Sequence, residues 1–367
     1  WWLPFLAGPV VLGTSQLAVA LVNWLASLLA TPYPLPRLDC STGLPQEART
    51  LVVIPTMLGS ARGIETLIEA LEVRFLANRD AYLHFGLLTD FHDAPTQTQP
   101  GDTELMQLAA QGIAALNAKY PCPDGETFFL FHRPRLWNPG EGIWMGYERK
   151  RGKLMDLNAL LRGVDEVSAP NPSDSEEPAT HSSARFSLIV GDTRILPQVR
   201  YVITLDTDTQ LPRDAAHELV GAMEHPLNRA HFDPKLGRVS EGYGILQPRV
   251  DVSLPGTNRS RFARLYGQDA GIDPYTRAVS DLYQDWFQEG SFIGKGIYAV
   301  AAFEQALDDH FPENRILSHD LLEGCYARSG LLSDVQLYED YPLCYSADVS
   351  RRYRWIRGDW QIAQWLL

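Results

Sequence analysis

Cysteine is scarce in this 367-residue chain: Cys40, Cys122, Cys325 and Cys344 are the only four, and none form a Cys-x-x-Cys pair. The nine histidines include no His-Glu-x-x-His arrangement, so neither a zinc site nor a disulfide scaffold has support, and a reducing compartment fits best. Positive charge is short as well. Against 45 Asp and Glu there are 32 Lys and Arg, a formal charge of -13 that argues against nucleic acid as the main partner, because phosphate backbones call for basic faces. The surplus acids are free to serve metals instead. Nucleotide-binding glycine motifs are missing too: no Gly-x-Gly-x-x-Gly follows the first apolar segment, and Gly294-Lys295-Gly296 lacks the Ser or Thr that follows a P-loop lysine. No internal repeat is visible.

Charge of either sign is absent from residues 1–36. Within that stretch, residues 10–30 form a mostly apolar run of helical length, about 30 Å at 1.5 Å per residue, enough to span a bilayer. A secretory signal lacks its basic leader here, and a buried core helix is the competing reading. Trp1, Trp2 and Trp24 suit interfacial or lipid-facing positions. The chain opens without Met and closes on a second apolar run around Trp360 and Trp365, which predicts a fragment of a longer membrane protein.

Beyond a Pro-rich connector at residues 31–36, residues 50–56 read as a first buried strand, followed by a helix over residues 63–78 and a strand over residues 84–90 that ends in Asp90. Strand, helix, strand implies an α/β fold with a parallel sheet. A helix over residues 102–119 and a strand over residues 127–132 continue the pattern. A Gly- and Trp-rich loop follows at residues 136–147, then a helix whose Leu154, Leu157, Leu160 and Leu161 lie on one face. Residues 167–185 are too polar to pack and read as a disordered insertion. Residues 242–249 make a further strand.

The segment Tyr201-Val202-Ile203-Thr204-Leu205-Asp206-Thr207-Asp208 is an apolar, β-branched run ending in two acids one residue apart. In a parallel sheet it is a buried strand with the Asp-x-Asp at its carboxyl end, where open α/β sheets bind ligands. There the pair could hold a divalent cation against a diphosphate, although a solvated turn is the plain alternative. Further marks follow in order: Asp90, Lys153 with Asn158, Asp320 beside His319, and Arg351, Arg354 and Trp355.

This series resembles the processive, membrane-embedded inverting glycosyltransferases of the cellulose synthase and hyaluronan synthase type. Pro55-Thr56, Asp90, Lys153 to Asn158, Asp206-Thr207-Asp208, Gln247-Pro248, Phe292 to Gly296, His319-Asp320 and Arg351 to Trp355 match that family's marks in order, over most of the chain after residue 50. Ser-His-Asp stands where the family has Thr-Glu-Asp, Gln-Pro-Arg where it has Gln-Thr-Pro, and Arg351 where it has Gln. Those departures, with the runs from Trp137 to Lys153 and from Tyr266 to Tyr275, look like the transferase domain of cyclic β-1,2-glucan synthases, glycosyltransferase family 84.

The resemblance implies a GT-A-type nucleotide-sugar-binding, mostly parallel sheet with flanking helices, plus transmembrane or interface helices. It divides the chain into a membrane helix and connector at 1–36, a nucleotide-sugar-binding half at 50–255 and an acceptor-binding half at 256–367. It implies a bacterial inner-membrane enzyme facing the cytoplasm that adds glucose from UDP-glucose to a β-1,2-glucan chain, itself started on the protein. The full polypeptide would also carry a glycoside-phosphorylase-like domain. Other readings are a β-glycan synthase of different linkage or donor, or a noncatalytic glycan-export or regulatory module.

On that resemblance Asp208, with Asp206, ligates Mg²⁺ or Mn²⁺ on the UDP phosphates, since hard cations take carboxylate and phosphate oxygens. Asp320 is the general base that an inverting displacement needs, with an N-cap as the alternative, and His319 orients it. Asp90, Lys153, Arg351 and Arg354 bind the donor; a membrane-flanking basic cluster is the competing reading of the arginines. Trp355, Gln247, Gly294 and His319 meet the acceptor, and Trp137, Trp144, Tyr275 and Trp286 line its path or serve as core.

Overall fold

The computed structural model describes residues 3–31, 33–123, 125–163, 185–267, 282–308, 310–311 and 319–363. The expected insertion at 167–185, apart from Arg185, lies outside the described residues, as do Trp1, Trp2, Tyr275 and Trp365.

One eight-stranded sheet organises the chain. Its strands are β1 (Thr50–Leu58), β2 (Leu83–Phe91), β3 (Phe128–His132), β6 (Leu188–Val190), β7 (Tyr201–Thr204), β10 (Ile245–Val252), β11 (Gly296–Ala299) and β12 (Ser329–Glu339), in spatial order β12-β10-β11-β7-β1-β2-β3-β6. Two small hairpins, β4 (Leu136–Asn138) with β5 (Ile143–Met145) and β8 (His231–Asp233) with β9 (Arg238–Glu241), stand beside it. The first hairpin falls where the sequence predicts a loop. Strands β1, β2, β3 and β7 run parallel, as expected, and so do β10 and β12; β6 and β11 are antiparallel additions. Mixed α/β architecture with a mostly parallel sheet is therefore the observed class, and strands on either side of residue 256 enter the same sheet.

The sheet is covered on both faces, which is why its central strands read as unbroken apolar runs. Alternate residues of β1 separate accordingly: Val52 and Ile54 enter one core with the helices α2 (Ala61–Ala77) and α3 (Asp102–Lys119), whereas Leu51 and Val53 enter a second core with α4 (Arg149–Leu161). Helix α2 starts at Ser60, whose hydroxyl accepts from Gly63 N at 3.1 Å, and buries Ile64, Leu71 and Phe75 along one stripe. Asp102 and Glu104 in the first turn of α3 and Lys119 in its last complement the helix dipole.

The strand order places β1 between β2 and β7. From β1 the chain winds outward through β2 and β3, then returns to build the other half from β7. This reversal between β1 and β7 is the topological switch point, where open α/β sheets leave a crevice at the carboxyl ends of the strands.

Helix α1 (Leu3–Leu29) carries the expected apolar segment, with Val10, Val11, Leu21, Val22 and Trp24 exposed. Among the described residues, however, no helix is long and apolar enough to cross a membrane, so the expected span at residues 10–30 is not supported. Gly13, Thr14, Ser15 and Gln16 dilute the middle of α1, and the Thr14 hydroxyl donates back to the Val10 carbonyl at 2.7 Å.

Candidate active site

Asp206 and Asp208 follow β7 directly, at the carboxyl edge of the switch point. The turn that carries them is held from three sides. Asp206 N donates to Thr209 Oγ1 at 3.2 Å, Thr209 Oγ1 donates to Glu339 Oε1 at 2.6 Å, and the buried Arg74 guanidinium donates to the carbonyls of Thr207 and Thr209. Glu339 is the last residue of β12, so the far edge of the sheet contributes a third acid: Asp206, Asp208 and Glu339 each offer an oxygen within 4.8 Å of the others.

Two lysines penetrate this acidic corner. Lys150 Nζ, from the first turn of α4, lies 2.8 Å from Asp206 Oδ1 and donates to the Gly294 carbonyl at 2.7 Å. Lys295 Nζ lies 3.2 Å from Asp206 Oδ2 and 2.9 Å from Glu339 Oε1. Burial alone would raise the Asp206 pKa, but Lys150 and Lys295 overturn it and hold the carboxyl well below the usual range. Burial would likewise lower both lysines, yet Asp206 with Asp320 for Lys150, and Asp206 with Glu339 for Lys295, push them up.

Asp208 is the outlier. It makes no ion pair among the described residues, and although one edge is exposed, desolvation in the cleft, then Glu339 and Asp206, push its pKa up to about 6. A carboxylate crowded by like charge and outside any ion pair is what a divalent ion would relieve. Three hard oxygen donors fit Mg²⁺ or Mn²⁺, with Asp208 as the free ligand. Lys295 already spans Asp206 and Glu339, and so leaves those two only part of their coordinating capacity.

Asp320 opens α10 (Asp320–Tyr326), with its Oδ1 buried and without a hydrogen-bond partner. It lies against the Gly-rich loop: a Cβ added to Gly294, whose φ is +85°, would meet Asp320 Oδ1 at 2.6 Å. Gly294 therefore joins two groups. Its carbonyl receives Lys150 and its bare Cα admits Asp320, so the Asp-x-Asp corner and the expected base face one cleft. Asp320 starts the helix, but its side chain caps nothing; His319 Nδ1 stands 3.6 Å from Asp320 Oδ1 and 2.7 Å from Glu323 Oε1.

Other expected residues take different positions. Asp90 and Lys153 do meet, with Lys153 Nζ 2.7 Å from Asp90 Oδ1, but both are buried. Lys153 also donates to the Thr56 carbonyl, Arg133 lies 3.4 Å from Asp90, and Gly146 packs so tightly on Asp90 that a Cβ there would sit 2.0 Å from its carboxylate. In this arrangement the pair locks β1, β2 and α4 together instead of lining the cleft. Burial brings Lys153 down to about 8 against the pull of Asp90. Asn158, from the same motif, is buried and accepts from the Tyr298 hydroxyl at 2.9 Å.

Gln247, expected to touch the acceptor, is fully buried; its Oε1 accepts from Ile293 N at 3.0 Å and its Nε2 donates to the Pro248 carbonyl at 2.7 Å, so it shapes the Gly-rich loop from beneath. On α11 (Tyr345–Ile362), Arg351 pairs with Asp348 at 2.9 Å and lies over the Trp355 and Tyr341 rings. Arg354 is exposed, and among the described residues neither arginine forms an ion pair with Asp206, Asp208 or Asp320. Trp137 and Trp144 face each other across the β4–β5 hairpin at 5.8 Å, and Trp286 is exposed on α8 (Leu282–Phe287).

Sequence reasoning missed Lys150, Lys295, Glu339 and Glu323. Lys150 sits one helical turn before Lys153, a spacing that could have flagged it; Lys295 is visible in Gly294-Lys295-Gly296, inside the Gly-rich segment that matches the family's marks. Glu339 belongs to no motif.

No family model matches the chain. It is 44% identical over 357 residues to the cyclic beta-(1,2)-glucan synthase NdvB of Rhizobium meliloti (strain 1021), an alignment covering 97% of this chain. The resemblance to cyclic β-1,2-glucan synthases is borne out by that alignment. The chain spans only 12% of the length of that relative.

Proposed function

We propose that this chain is the transferase part of a longer cyclic β-1,2-glucan synthase, moving glucose from UDP-glucose to the 2-hydroxyl of a growing glucan with inversion. The observation that carries the reading is the cleft at the switch point, where Asp206, Asp208, Lys150, Lys295 and Asp320 converge around Gly294. The identity to NdvB supports the glucan; the UDP-glucose donor and the inversion are what the resemblance to inverting glycosyltransferases implies, and the acids and lysines at the switch point suit a diphosphate leaving group.

Asp208, with Asp206 and Glu339, is the donor set for Mg²⁺ or Mn²⁺. When bound, that ion supplies Lewis-acid stabilisation of the departing diphosphate. Lys150 and Lys295 supply fixed positive charge beside the same position and need no reorganisation as charge develops on the leaving group. Asp320, across the Gly294 loop, takes the proton of the acceptor hydroxyl, so a single displacement needs no enzyme nucleophile. Trp355, with Arg351 on one face, offers an aromatic platform for the acceptor sugar. The exposed apolar surface of α1 suits contact with a membrane surface; a bacterial inner membrane with this part facing the cytoplasm is what the resemblance implies, and the length of NdvB supports further domains in the same polypeptide.

The test is UDP release from UDP-glucose in membranes holding the full protein. Release should stop with EDTA and return with Mg²⁺ or Mn²⁺. Asp320→Asn should cut turnover at least ~100-fold and leave UDP binding intact. Turnover by Asp320→Asn at the wild-type rate removes Asp320 as the base, and metal-independent binding without turnover removes the enzyme.

A further inference from the structure

The cluster His319, Asp320 and Glu323 carries an inference that rests on the reading of Asp320 as base. Glu323 is fully enclosed, with its Oε2 lacking any hydrogen-bond partner, and its Oε1 lies 2.7 Å from His319 Nδ1. A lone carboxylate so buried demands a counter-charge. His319, itself buried, is the cation at hand, and the same ring nitrogen stands 3.6 Å from Asp320 Oδ1.

We propose that Glu323 is a positioning residue for the transfer step: it holds the His319 ring as an imidazolium whose Nδ1 edge faces Asp320, fixing a positive charge beside the base and aiming it past Gly294. The geometry restricts the ring on two sides and the base on a third. Glu323 anchors it one helical turn along α10, Asp320 adjoins it, and the Gly-rich loop closes over Asp320 at Gly294. The charges facing His319 are Glu323 and Asp320 on α10 and Lys150 on α4; Tyr298 on β11 senses Glu323. Burial opposes the imidazolium, whereas Glu323 first and Asp320 second favour it, and the balance is upward. Lys150 opposes it from the donor side. Without the Glu323 charge, Asp320 alone would oppose burial and Lys150.

The experiment compares wild type, Glu323→Gln, Glu323→Asp, His319→Gln and the double variant Glu323→Gln with His319→Gln, in the full membrane-held protein. kcat and KM for UDP-glucose are read from UDP release across pH 5 to 9. Glu323→Gln should lower kcat about tenfold with KM unchanged and move the acidic limb of the profile up by about one pH unit, the effect of losing a cation within about 4 Å of a carboxylate. Glu323→Asp, which keeps the charge, should recover most of the limb position. The double variant should be no worse than His319→Gln, because the two act as one unit.

Wild-type kcat and profile in Glu323→Gln overturn the proposal. A fall in kcat without movement of the limb, additive with His319→Gln, also overturns it, leaving Glu323 a packing residue. Failure of the base assignment is separable: it shows as turnover in Asp320→Asn, whatever Glu323→Gln does.

Discussion

Asp208 is predicted to make the protein less stable than it would be without its charge. Its folded pKa is about 6 against an ordinary 3.8, raised by desolvation, Glu339 and Asp206. Below 3.8 the carboxyl is protonated in both folded and unfolded states and carries no penalty. Between 3.8 and 6 the unfolded chain releases the proton and the folded one does not, so the favourable protonated contribution is lost as pH rises and is gone above about 6. A shift of about two units corresponds to roughly 3 kcal/mol, which solvent screening at its exposed edge reduces to about 1 kcal/mol. Asp208→Asn, isosteric and uncharged, should therefore raise Tm by about 1–2 °C at pH 8 in EDTA, and by about half as much at pH 5, where only half of the penalty has developed. The same substitution should abolish stabilisation by Mn²⁺ and UDP release. The measurement is a pair of thermal melts at each pH on purified protein. An Asp208→Asn variant that melts below wild type at pH 8, or whose advantage does not grow with pH, refutes the electrostatic account of the acidic corner.

Gly294→Ala places a methyl group 2.6 Å from Asp320 Oδ1 at a φ of +85°, so kcat should fall at least tenfold with UDP binding retained; unchanged kcat removes the close approach from the mechanism. Lys295→Met keeps the volume but strands Asp206 and Glu339 without one of their cations, and should cost about 3 kcal/mol, read as a lower denaturant midpoint. Turnover of Lys295→Met should fall as well, and addition of Mg²⁺ should recover part of its stability, since the two acids that Lys295 pairs belong to the set of three that could hold the ion.

Much of this architecture is local and was therefore readable. Apolar runs of strand length that end in Asp90 and Asp206 specify buried parallel strands with acids at their carboxyl edges, and β1, β2, β7 and α3 form where the hydrophobic pattern puts them. Strands β6, β8 and β9 are three or four residues long, too short to show a period, and β12 escaped notice because its 11 residues mix polar and apolar positions. The β4–β5 hairpin is hidden by the glycines that make its turn.

The sequence by itself determined the fold class, the order of the acids and their presence at strand and helix ends, because hydrophobic periodicity and motif spacing act over a few residues. Which charges meet was decided only by tertiary structure. Asp90 and Lys153 both carry motif positions, yet packing under Gly146 turns them into a buried clamp, and Gln247, expected to meet the acceptor, is sunk beneath the Gly-rich loop. Lys150 and Lys295, 145 positions apart in the chain, reach the two oxygens of one carboxylate. Coulomb energies depend on separation and dielectric in space, and neither quantity is written in the spacing of residues along a chain.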